Sequence, residues 1–530
     1  MTNLAIVGSG PMALYTLKHL QNSADPLTIE IFEATDQAGT GMPYRADMNA
    51  DYMLCNAFSR EIPPVTQTLI DWLASRPARE LNAWELSWHD LSARAFYPRV
   101  LIGEYLQSEF ANICELLRAA GHAVTVRTGH KVTDIVPKQQ GFALHCSVNS
   151  SVNGTNKTFA CDDVIIATGH SWPQTPEIDG VELISPWPYT QITELPAKPI
   201  GVLGSSLSAI DVVIALGFAH GVFDEADEEH VRWKANGESG DFTIGMVSHH
   251  GIMPEGDFYY PFPYEPLTCI TEDAVLAEVA KGEEGLLERV FALLCQELDH
   301  SDPDYLQELG EGARTIAGFG DAYFARRQRL GGLPAVKRDF AEARASMRKK
   351  KTIPHHYALL RAHETFDLAL RDLSEDDYAF FRKHLMPVFA DCYAAVPHLS
   401  LARIIALYDA GVLTLHATGP DSTFCRLDDG SIQVSTEDGP LQIDVMIDAR
   451  GQASRTLSDL PFPTLVKHLE DADAPVEEPF RLEIKGMNAG RIYCLAMPQI
   501  LERFPFSQGL PNCDELTEVV VADFLGSDNE

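Results

Sequence analysis

Two segments of this chain share one local pattern, in which a short apolar run is followed by a glycine turn and then by apolar residues at helical spacing. The first is residues 4–13 (LAIVGSGPMA) and the second is residues 200–209 (IGVLGSSLSA). A buried parallel strand, a tight turn and a helix in this order place a dinucleotide pyrophosphate at the helix N-terminus. One such unit indicates a dinucleotide-binding protein, and two indicate a flavin and a nicotinamide held face to face. The duplication predicts an α/β fold with two Rossmann-like dinucleotide-binding domains of the three-layer ββα type.

Composition narrows the function classes. The 530 residues suffice for two or three domains, and 45% hydrophobic content is typical of a globular protein. No run of about 18 apolar residues occurs, which predicts a cytoplasmic protein without a membrane span. The net charge of −35 would repel phosphate backbones, so nucleic acid is not an expected partner. Ten cysteines without a C-x-x-C pair favour a reducing compartment and predict no metal site, while the oligomeric state stays open.

The first glycine turn has the full context of a dinucleotide site. Gly8 permits the tight turn, Gly10 lets a pyrophosphate approach the backbone, and Ala13 lets the helix pack closely on the sheet. The next apolar run, residues 27–32, ends at Glu33, where a carboxylate would accept hydrogen bonds from an adenosine ribose. The residues assigned to FAD here are Gly8, Gly10, Pro11, Met12, Ala13 and Glu33.

A second glycine-rich turn, residues 38–44 (AGTGMPY), follows Glu33 closely. In flavoproteins such a turn lets the backbone pass close to the flavin phosphates or ring, and a plain loop is the alternative. We favour the flavin interpretation, which assigns Gly39, Gly41 and Met42 to the cofactor. A third apolar run, residues 164–169, ends in Thr168 and Gly169. In flavoproteins with two dinucleotide sites this strand end marks the exit from the FAD domain, although any buried strand that meets a turn would look similar.

The chain also carries a set of short motifs, namely GSGP at 8–11, FE at 32–33, GTGMPY at 39–44, MLCN at 53–56, FYPR at 96–99, GEYL at 103–106 and ATGH at 167–170. As a set they resemble bacterial FAD/NAD(P)-binding proteins of largely unassigned function, and the similarity runs from Val7 to about Gly509. The resemblance implies an FAD site and a nicotinamide site but supplies no substrate. Some distant relatives are similar to flavin-dependent monooxygenases that hydroxylate the amine of a small amino acid.

The second glycine turn departs from the usual pattern. Gly204 and Ala209 are in place, but Ser206 occupies the position of the middle glycine, where its hydroxyl would either crowd the pyrophosphate or bind it. The following strand, residues 242–247, ends in Ser248 and His249 without a carboxylate, which favours NADPH over NADH. A vestigial fold element and a surface loop are the alternatives. The residues assigned to the nicotinamide cofactor are Gly204, Ser205, Ser206, Ser208, Ser248 and His249.

These markers predict a discontinuous FAD-binding domain, residues 1–197 plus 416–530, around an NAD(P)-binding domain at residues 198–415. Apolar residues at three-to-four spacing predict a helical insertion at about residues 272–395. Basic residues cluster between Arg326 and Lys351 in an otherwise acidic chain. A solvated helix face is the favoured explanation, and a docking patch for an anionic partner or cofactor is the alternative.

Two further segments predict contacts near the cofactors. Residues 445–451 (VMIDARG) resemble a second strand-end crossover, which would return the chain to the FAD domain. Arg450 replaces the usual threonine there, and it would either contact a cofactor or be exposed. Ser507, Gln508 and Gly509 precede a predicted helix at residues 515–524, whose N-terminal dipole would point at the flavin pyrimidine edge. An ordinary capped helix is the alternative.

The whole pattern predicts an FAD-dependent oxidoreductase that NAD(P)H reduces. The absence of a C-x-x-C pair argues against a disulfide reductase, which leaves a monooxygenase acting on a small amine or sulfur substrate as the best specific interpretation. Asn56, Arg99 and His170 are the candidate catalytic residues near the isoalloxazine, as hydrogen-bond donors. For each a structural role is the alternative: a turn-capping amide, a buried ion-pair partner and a loop histidine. The rival function is a flavin-binding redox sensor or scaffold without turnover.

Overall fold

In the computed structural model the chain is described at residues 2–148, 155–172, 176–227, 230–237, 240–329, 331–486 and 490–526. It divides into two compact units. The first comprises Met1–Ser171 and Gln452–Glu530, and the second comprises Trp172–Gly451. The chain thus leaves the first unit just after the ATGH motif and returns to it just after the ARG segment.

The strands of the described chain are β1 (Asn3–Val7), β2 (Thr28–Phe32), β3 (Ala123–Arg127), β4 (His130–Pro137), β5 (Phe142–Val148), β6 (Thr155–Cys161), β7 (Asp163–Ile166), β8 (Glu177–Ile178), β9 (Val181–Glu182), β10 (Pro199–Leu203), β11 (Gly221–Asp224), β12 (Arg232–Ala235), β13 (Thr243–Ser248), β14 (Leu413–Ala417), β15 (Phe424–Arg426), β16 (Ile432–Thr436), β17 (Gly439–Ile443), β18 (Val445–Asp448) and β19 (Ile492–Cys494).

The helices are α1 (Pro11–Leu20), α2 (Leu69–Ala74), α3 (Ala78–Ala83), α4 (Arg99–Ala119), α5 (Thr190–Thr193), α6 (Leu207–His220), α7 (Glu272–Val279), α8 (Leu286–Ser301), α9 (Tyr305–Leu309), α10 (Ile316–Gln328), α11 (Gly332–Lys349), α12 (Pro354–Leu370), α13 (Glu375–His384), α14 (Met386–Tyr393), α15 (His398–Asp409), α16 (Pro463–His468), α17 (Met497–Ile500) and α18 (Leu510–Leu525). Among the described helices, none has the length and apolar character needed to cross a membrane.

The first unit has a parallel five-stranded sheet in the order β19-β7-β1-β2-β3. The central strand β1 pairs with β2 and β7 and is almost wholly buried, as its apolar run requires for a strand covered on both faces. The unit also contains an antiparallel sheet, β4-β5-β6, and the long helices α1, α4 and α18, which pack together around α1. This is the predicted three-layer ββα arrangement.

The second unit has a parallel four-stranded sheet in the order β14-β13-β10-β18. Helices α7–α14 lie between β13 and β14 in the chain, where the helical insertion is predicted, and α15 follows them. The helix ends carry ordinary signals: the Ser374 side chain caps α13, whose first turn is acidic and whose last turn is basic. An antiparallel sheet, β15-β16-β17, leads into β18.

The division of the structure into units differs from the predicted boundaries at 197/198 and 415/416. Residues 416–451 belong to the second unit, because β18 pairs with β10 in the second parallel sheet. Residues 172–197 belong to it as well, and Ile184 there pairs with Ile447 of β18. Local sequence pattern marks where a strand ends, but it does not say which sheet the strand joins.

Candidate dinucleotide sites

The first glycine turn, residues 8–10, joins β1 to α1 and is held between two neighbouring strands. The Gly8 N–H donates a hydrogen bond to the Phe32 carbonyl at the end of β2, with an N···O distance of 2.8 Å. Gly8 has a φ of +106°, and a Cβ built on it would lie 2.2 Å from the Ala167 carbonyl oxygen. Both conditions require glycine, because an L side chain is strained at this φ and would overlap the carbonyl.

Helix α1 begins directly after this turn with an open N-terminus. Among the described residues no side chain caps the helix at Gly10, and the first turn contains no acidic residue. Pro11 opens the helix, where its missing N–H costs nothing. Met12 and Ala13 are buried and pack the helix on the sheet. The first N–H groups of α1 and its positive dipole end are therefore available to an anion.

The second glycine-rich turn packs directly against the first. Gly39 and Gly41 have φ values of +98° and +71°, and a Cβ on Gly41 would lie 2.8 Å from Pro11 Cδ. Met42 follows in a half-buried 3-10 turn. Thr40 is 3% exposed, and its hydroxyl has no hydrogen-bond partner among the described residues. A buried hydroxyl without a partner beside an open helix N-terminus fits a phosphate group, so the residues present suit an FAD pyrophosphate.

Glu33 joins the two turns. One carboxylate oxygen accepts from the Ser9 hydroxyl at 2.5 Å, and the other accepts from the Thr35 N–H at 2.8 Å and its hydroxyl at 2.9 Å. The Gly39 N–H donates to the Ser9 hydroxyl oxygen at 3.2 Å. A carboxylate has about four acceptor positions, so Glu33 keeps capacity for a ribose hydroxyl. Sequence reasoning missed Ser9, although its place between the two glycines was a signal.

Arg99 is fixed to the segment that carries Asn56. Its backbone N–H donates to the Met53 carbonyl at 2.8 Å, and its Nε donates to the Leu54 carbonyl at 3.2 Å. The Asn56 side chain is exposed, whereas the neighbouring Cys55 is buried. Two of the candidate catalytic residues thus lie on paired segments at the start of α4, with Asn56 facing outward.

The half-buried Tyr44 and the buried Cys55 form a polar pair beside Arg99, which sequence reasoning did not single out. Burial raises the pKa of the Tyr44 phenol well above its ordinary value, with Cys55 adding to the effect and Arg99 opposing it. Gly103 makes this packing possible, because a Cβ there would lie 2.2 Å from the Tyr44 carbonyl oxygen. The GEYL motif therefore has a structural cause, which is the close contact of α4 with the second glycine-rich turn.

His170 lies near Arg99 and is neutral at physiological pH. Burial lowers the pKa of His170 to about 4, with a hydrogen bond to Gln452 opposing the shift and the Arg99 charge adding to it. Gln452 also accepts from the Ser171 N–H at 2.8 Å. In the ATGH motif Thr168 is exposed, and no described atom lies within 4 Å of a Cβ on Gly169. The strand end is therefore open above the glycine.

Helix α18 begins at Leu510, five residues earlier than the predicted 515–524, because proline at position 511 is tolerated in the first turn. Ser507 is buried, while Gln508 and Gly509 are exposed just before the helix. Within the described residues no side chain caps this N-terminus and its first turn is not acidic. Lys18 of α1 bonds Asp514 at 2.7 Å, which holds the two helices side by side.

The second unit repeats the construction of the first glycine turn. Gly204 has a φ of +121°, and a Cβ there would lie 2.7 Å from the Ala449 carbonyl oxygen. Its N–H donates to the Val247 carbonyl at the end of β13, at 2.8 Å. Ser206 has a φ of −95° and an exposed side chain, so a serine fits there without strain, and Ser208 follows in the first turn of α6. Among the described residues no side chain caps α6.

The end of β13 presents hydroxyl and imidazole groups. The Ser205 hydroxyl donates to the Ser248 hydroxyl at 2.8 Å, which ties the glycine turn to the strand. His249 is exposed, while His250 stacks on Phe324 with ring centroids 4.1 Å apart. The structure thus brings Ser205, Ser248 and His249 to one edge of the sheet.

Arg450 lies in the second unit, and its side chain is exposed. Its Nε donates to Asp448 at 2.8 Å, and a second nitrogen donates to the other carboxylate oxygen at 2.8 Å. Its charge is therefore matched locally. Across the described residues no group of three or more histidine, cysteine, aspartate or glutamate side chains is placed to hold a metal ion.

Comparison with known proteins agrees with this geometry. An FAD-NAD(P)-binding family model matches residues 5–171, and a YdhS-like middle domain model matches residues 271–393. The chain is 37% identical to the uncharacterized protein YdhS of Escherichia coli K12 over 523 residues, which covers 98% of this chain and 97% of the relative. The chain belongs to the YdhS family.

Similarity to solved structures concerns the fold of this family. The chain is similar to the ornithine N-hydroxylase of Kutzneria sp. 744, with a TM-score of 0.50 and 15% identity over 99% of this chain and 98% of that one. It is also 24% identical to monooxygenase PC-14 of Penicillium crustosum over 187 residues, 34% of this chain and 27% of the relative. The chain therefore carries an FAD-NAD(P)-binding domain and has the fold of a flavin-dependent N-hydroxylating monooxygenase.

Proposed function

We propose that this protein is an FAD-dependent oxidoreductase that NADPH reduces, and that it oxygenates a small amine or sulfur substrate. The observation that carries the proposal is the repetition of one construction in two units. The backbone N–H of Gly8 and that of Gly204 each donate to a carbonyl of the neighbouring strand, and each glycine lies against a carbonyl at the end of a third strand. In both units the turn leads into a helix whose N-terminus no described side chain caps. Two such sites in one chain suit two dinucleotides.

The residues of the first unit would hold the flavin. The N-terminus of α1 and the Thr40 hydroxyl would bind the pyrophosphate, and Glu33 would accept from the adenosine ribose. When bound, FAD supplies the redox chemistry, accepting a hydride equivalent from NADPH and delivering electrons to oxygen or another acceptor. The chain contributes binding, orientation and charge.

The cluster at the start of α4 would tune that chemistry. Arg99 offers a fixed positive charge, and the neutral His170 beside it offers a hydrogen bond without adding a second cation. The N-terminus of α18 would favour negative charge through its dipole. Together these groups suit stabilisation of an anionic reduced cofactor or of a substrate carboxylate.

Two of the similar proteins support the proposed substrate class and electron acceptor. The fold of the Kutzneria enzyme, an ornithine N-hydroxylase, makes small amines the first candidates to assay. The matching part of the Penicillium monooxygenase points to oxygen as the acceptor. In the second unit, the carboxylate-free end of β13 favours NADPH over NADH.

Rapid mixing tests the proposal directly. The FAD-loaded protein is mixed anaerobically with NADPH, and separately with NADH, while the absorbance of oxidised flavin is followed. We expect NADPH to bleach the flavin, and oxygen to restore it without release of hydrogen peroxide only when a suitable amine is present. If neither nicotinamide bleaches the flavin, the enzyme proposal fails.

A flavin-binding redox sensor or scaffold is the alternative function. The helical insertion supports this alternative, because a helical region offers a surface for a protein partner. A sensor would bind FAD and NADP⁺ but show no substrate-dependent oxygen consumption across amines and thiols. Oxygen consumption that depends on one such substrate would favour the enzyme over the sensor.

A further inference from the structure

The basic segment between Arg326 and Lys351 does not form one solvated face, because several of its members are paired where they lie. The buried Arg327 bonds Glu255. Lys337 bonds Asp409, and Arg338 bonds the neighbouring Asp339. These pairs match the charge of three of the ten basic residues of the segment.

Arg329 lies where the insertion meets the second parallel sheet. Directly before it, the Gln328 side-chain amide donates to the His250 carbonyl at 3.1 Å, in the turn that follows β13. Shortly after it, a Cβ on Gly332 would lie 3.9 Å from the Leu415 carbonyl oxygen of β14. The chain just before Arg329 therefore contacts the turn that follows β13, and the chain just after it passes beside the adjacent strand β14.

The Arg329 guanidinium is available to a ligand. The residue is exposed, and the described part of the chain gives its side chain no hydrogen bond or ion pair. An exposed arginine beside a strand end is thus a positive charge that the fold itself does not use.

The position corresponds to one part of a dinucleotide. In a βα nucleotide-binding unit, the residue at the end of the second strand recognises the adenosine ribose, and an arginine nearby accommodates a 2′-phosphate. In this unit β10 is the first strand and β13 the second, which ends in Ser248 and His249. A guanidinium has a planar fork of donors that matches phosphate oxygens.

We propose that Arg329, contributed by the helical insertion, binds the 2′-phosphate of NADPH together with Ser248 and His249, and thereby sets the preference for NADPH over NADH. The inference rests on the proposed use of the second unit as the nicotinamide site. It adds that the insertion, which a Rossmann unit does not itself require, supplies the residue that reads the phosphate.

Titration of the full-length, FAD-loaded protein with NADP⁺ and NAD⁺ tests this assignment without turnover. Arg329→Ala is expected to raise the dissociation constant for NADP⁺ by about tenfold or more, as loss of a charge-assisted phosphate contact does. The constant for NAD⁺ should stay within about twofold, and Arg329→Lys should keep part of the NADP⁺ affinity. Lys349→Ala, which removes an exposed charge at the far end of α11, is the matched control and should change neither constant.

The outcomes separate this inference from the function on which it rests. If wild-type protein binds NADP⁺ and Arg329→Ala leaves the ratio of the two constants unchanged, the assignment of Arg329 is overturned and the proposed function stands. If wild-type protein binds neither dinucleotide, the proposed nicotinamide site fails and the assignment fails with it. 2′,5′-ADP should compete with NADP⁺ for the wild-type protein, whereas 5′-AMP should not. Loss of the competition by 2′,5′-ADP in Arg329→Ala would locate the effect at the 2′-phosphate.

Discussion

Alanine at position 8 should abolish stable FAD binding. The φ of +106° strains any L residue, and the new Cβ would lie 2.2 Å from the Ala167 carbonyl oxygen, so the turn must open. We expect Gly8→Ala to reduce the FAD content of the purified protein at least ~tenfold, because the turn positions the α1 N-terminus. Flavin absorbance per mole of protein measures the effect.

A matched variant separates strain from overlap. Gly121, also in the first unit, has a φ of +99°, but no described atom lies within 4 Å of its Cβ. Gly121→Ala should therefore lose about 1 kcal/mol of stability from the backbone alone and keep its FAD. Equal FAD content in the two variants would show that the contact with Ala167 is not what position 8 requires.

His170 should make stability fall with acid. Its folded pKa of about 4 lies below the ordinary value of 6.5, so the unfolded chain binds the extra proton between these values and the folded chain does not. Stability is then full above about pH 6.5 and is lost as pH falls toward 4, by on the order of 1–3 kcal/mol. His170→Gln should flatten this part of the pH profile in denaturant unfolding, whereas His145→Gln, at an exposed position of β5, should not.

The roles of single residues were only partly predictable. Gly8, Gly10 and Glu33 follow from local spacing, because strand, turn and helix are contiguous in the chain. The pairing of Tyr44 with Cys55 and of His170 with Gln452 joins distant segments, and no spacing rule reports it. The same holds for Ser9, whose role as a link between two turns appears only once the turns pack together.

At the scale of elements, the helical insertion is joined to the end of β13 by a buried charge network. Arg327 of α10 bonds Glu255 and the Met253 carbonyl and lies 3.5 Å from Asp391 of α14. His356 of α12 lies 3.1 Å from Glu255. Three helices thereby converge on the segment that enters the insertion, and Arg327 holds the pKa of the Glu255 carboxyl well below its ordinary value.

Removal of the central cation should loosen this network. Arg327→Met removes the buried cation that contacts both Glu255 and Asp391, and breaking a buried ion pair typically costs about 3–5 kcal/mol. We expect a fall of that size in the free energy of unfolding of the second unit, measured by urea denaturation. Arg338→Met, which breaks an exposed pair with Asp339, should cost less than about 1 kcal/mol. A similar cost in both variants would mean that the network is not what fastens the insertion.

Element boundaries show where local pattern loses its power. Periodicity predicted a helical region at 272–395, and the described helices α7–α14 occupy Glu272–Tyr393. Helix α18 begins at Leu510, five residues before the predicted start at 515, with proline in its first turn, where it is tolerated. In the sequence, Ser206 departs from the glycine pattern of a dinucleotide site. Its ordinary φ of −95° shows that this position does not need glycine.

At the scale of the molecule, the duplication of the glycine turn correctly indicated two parallel sheets, whereas the two units divide at other positions than the predicted boundaries. A strand that ends in small residues can join either sheet, and the choice depends on pairing between residues far apart in sequence. β18 pairs with β10 across more than two hundred residues of chain. Such a pairing is fixed by tertiary packing, so the boundary at Gly451 was beyond the reach of local pattern.

A division of labour between the units gives the final prediction. In Gly204→Ala, the φ of +121° would strain the alanine backbone, and the new Cβ would lie 2.7 Å from the Ala449 carbonyl oxygen. The second turn should therefore open, as we expect of the first turn in Gly8→Ala. The proposed FAD site lies in the other unit and should keep its cofactor. Gly204→Ala should therefore retain wild-type flavin content and full reduction by dithionite, but lose reduction by NADPH at least ~tenfold.

The control for this variant lies in the same unit. Gly439 has a φ of +118° with no described atom within 4 Å of its Cβ, so Gly439→Ala should keep both NADPH and dithionite reduction. Loss of flavin from Gly204→Ala would contradict the division, because it would make the second turn part of the FAD site. Undiminished reduction by NADPH would instead remove the second turn from the nicotinamide site, and the repeated construction would then serve the fold of the second unit alone.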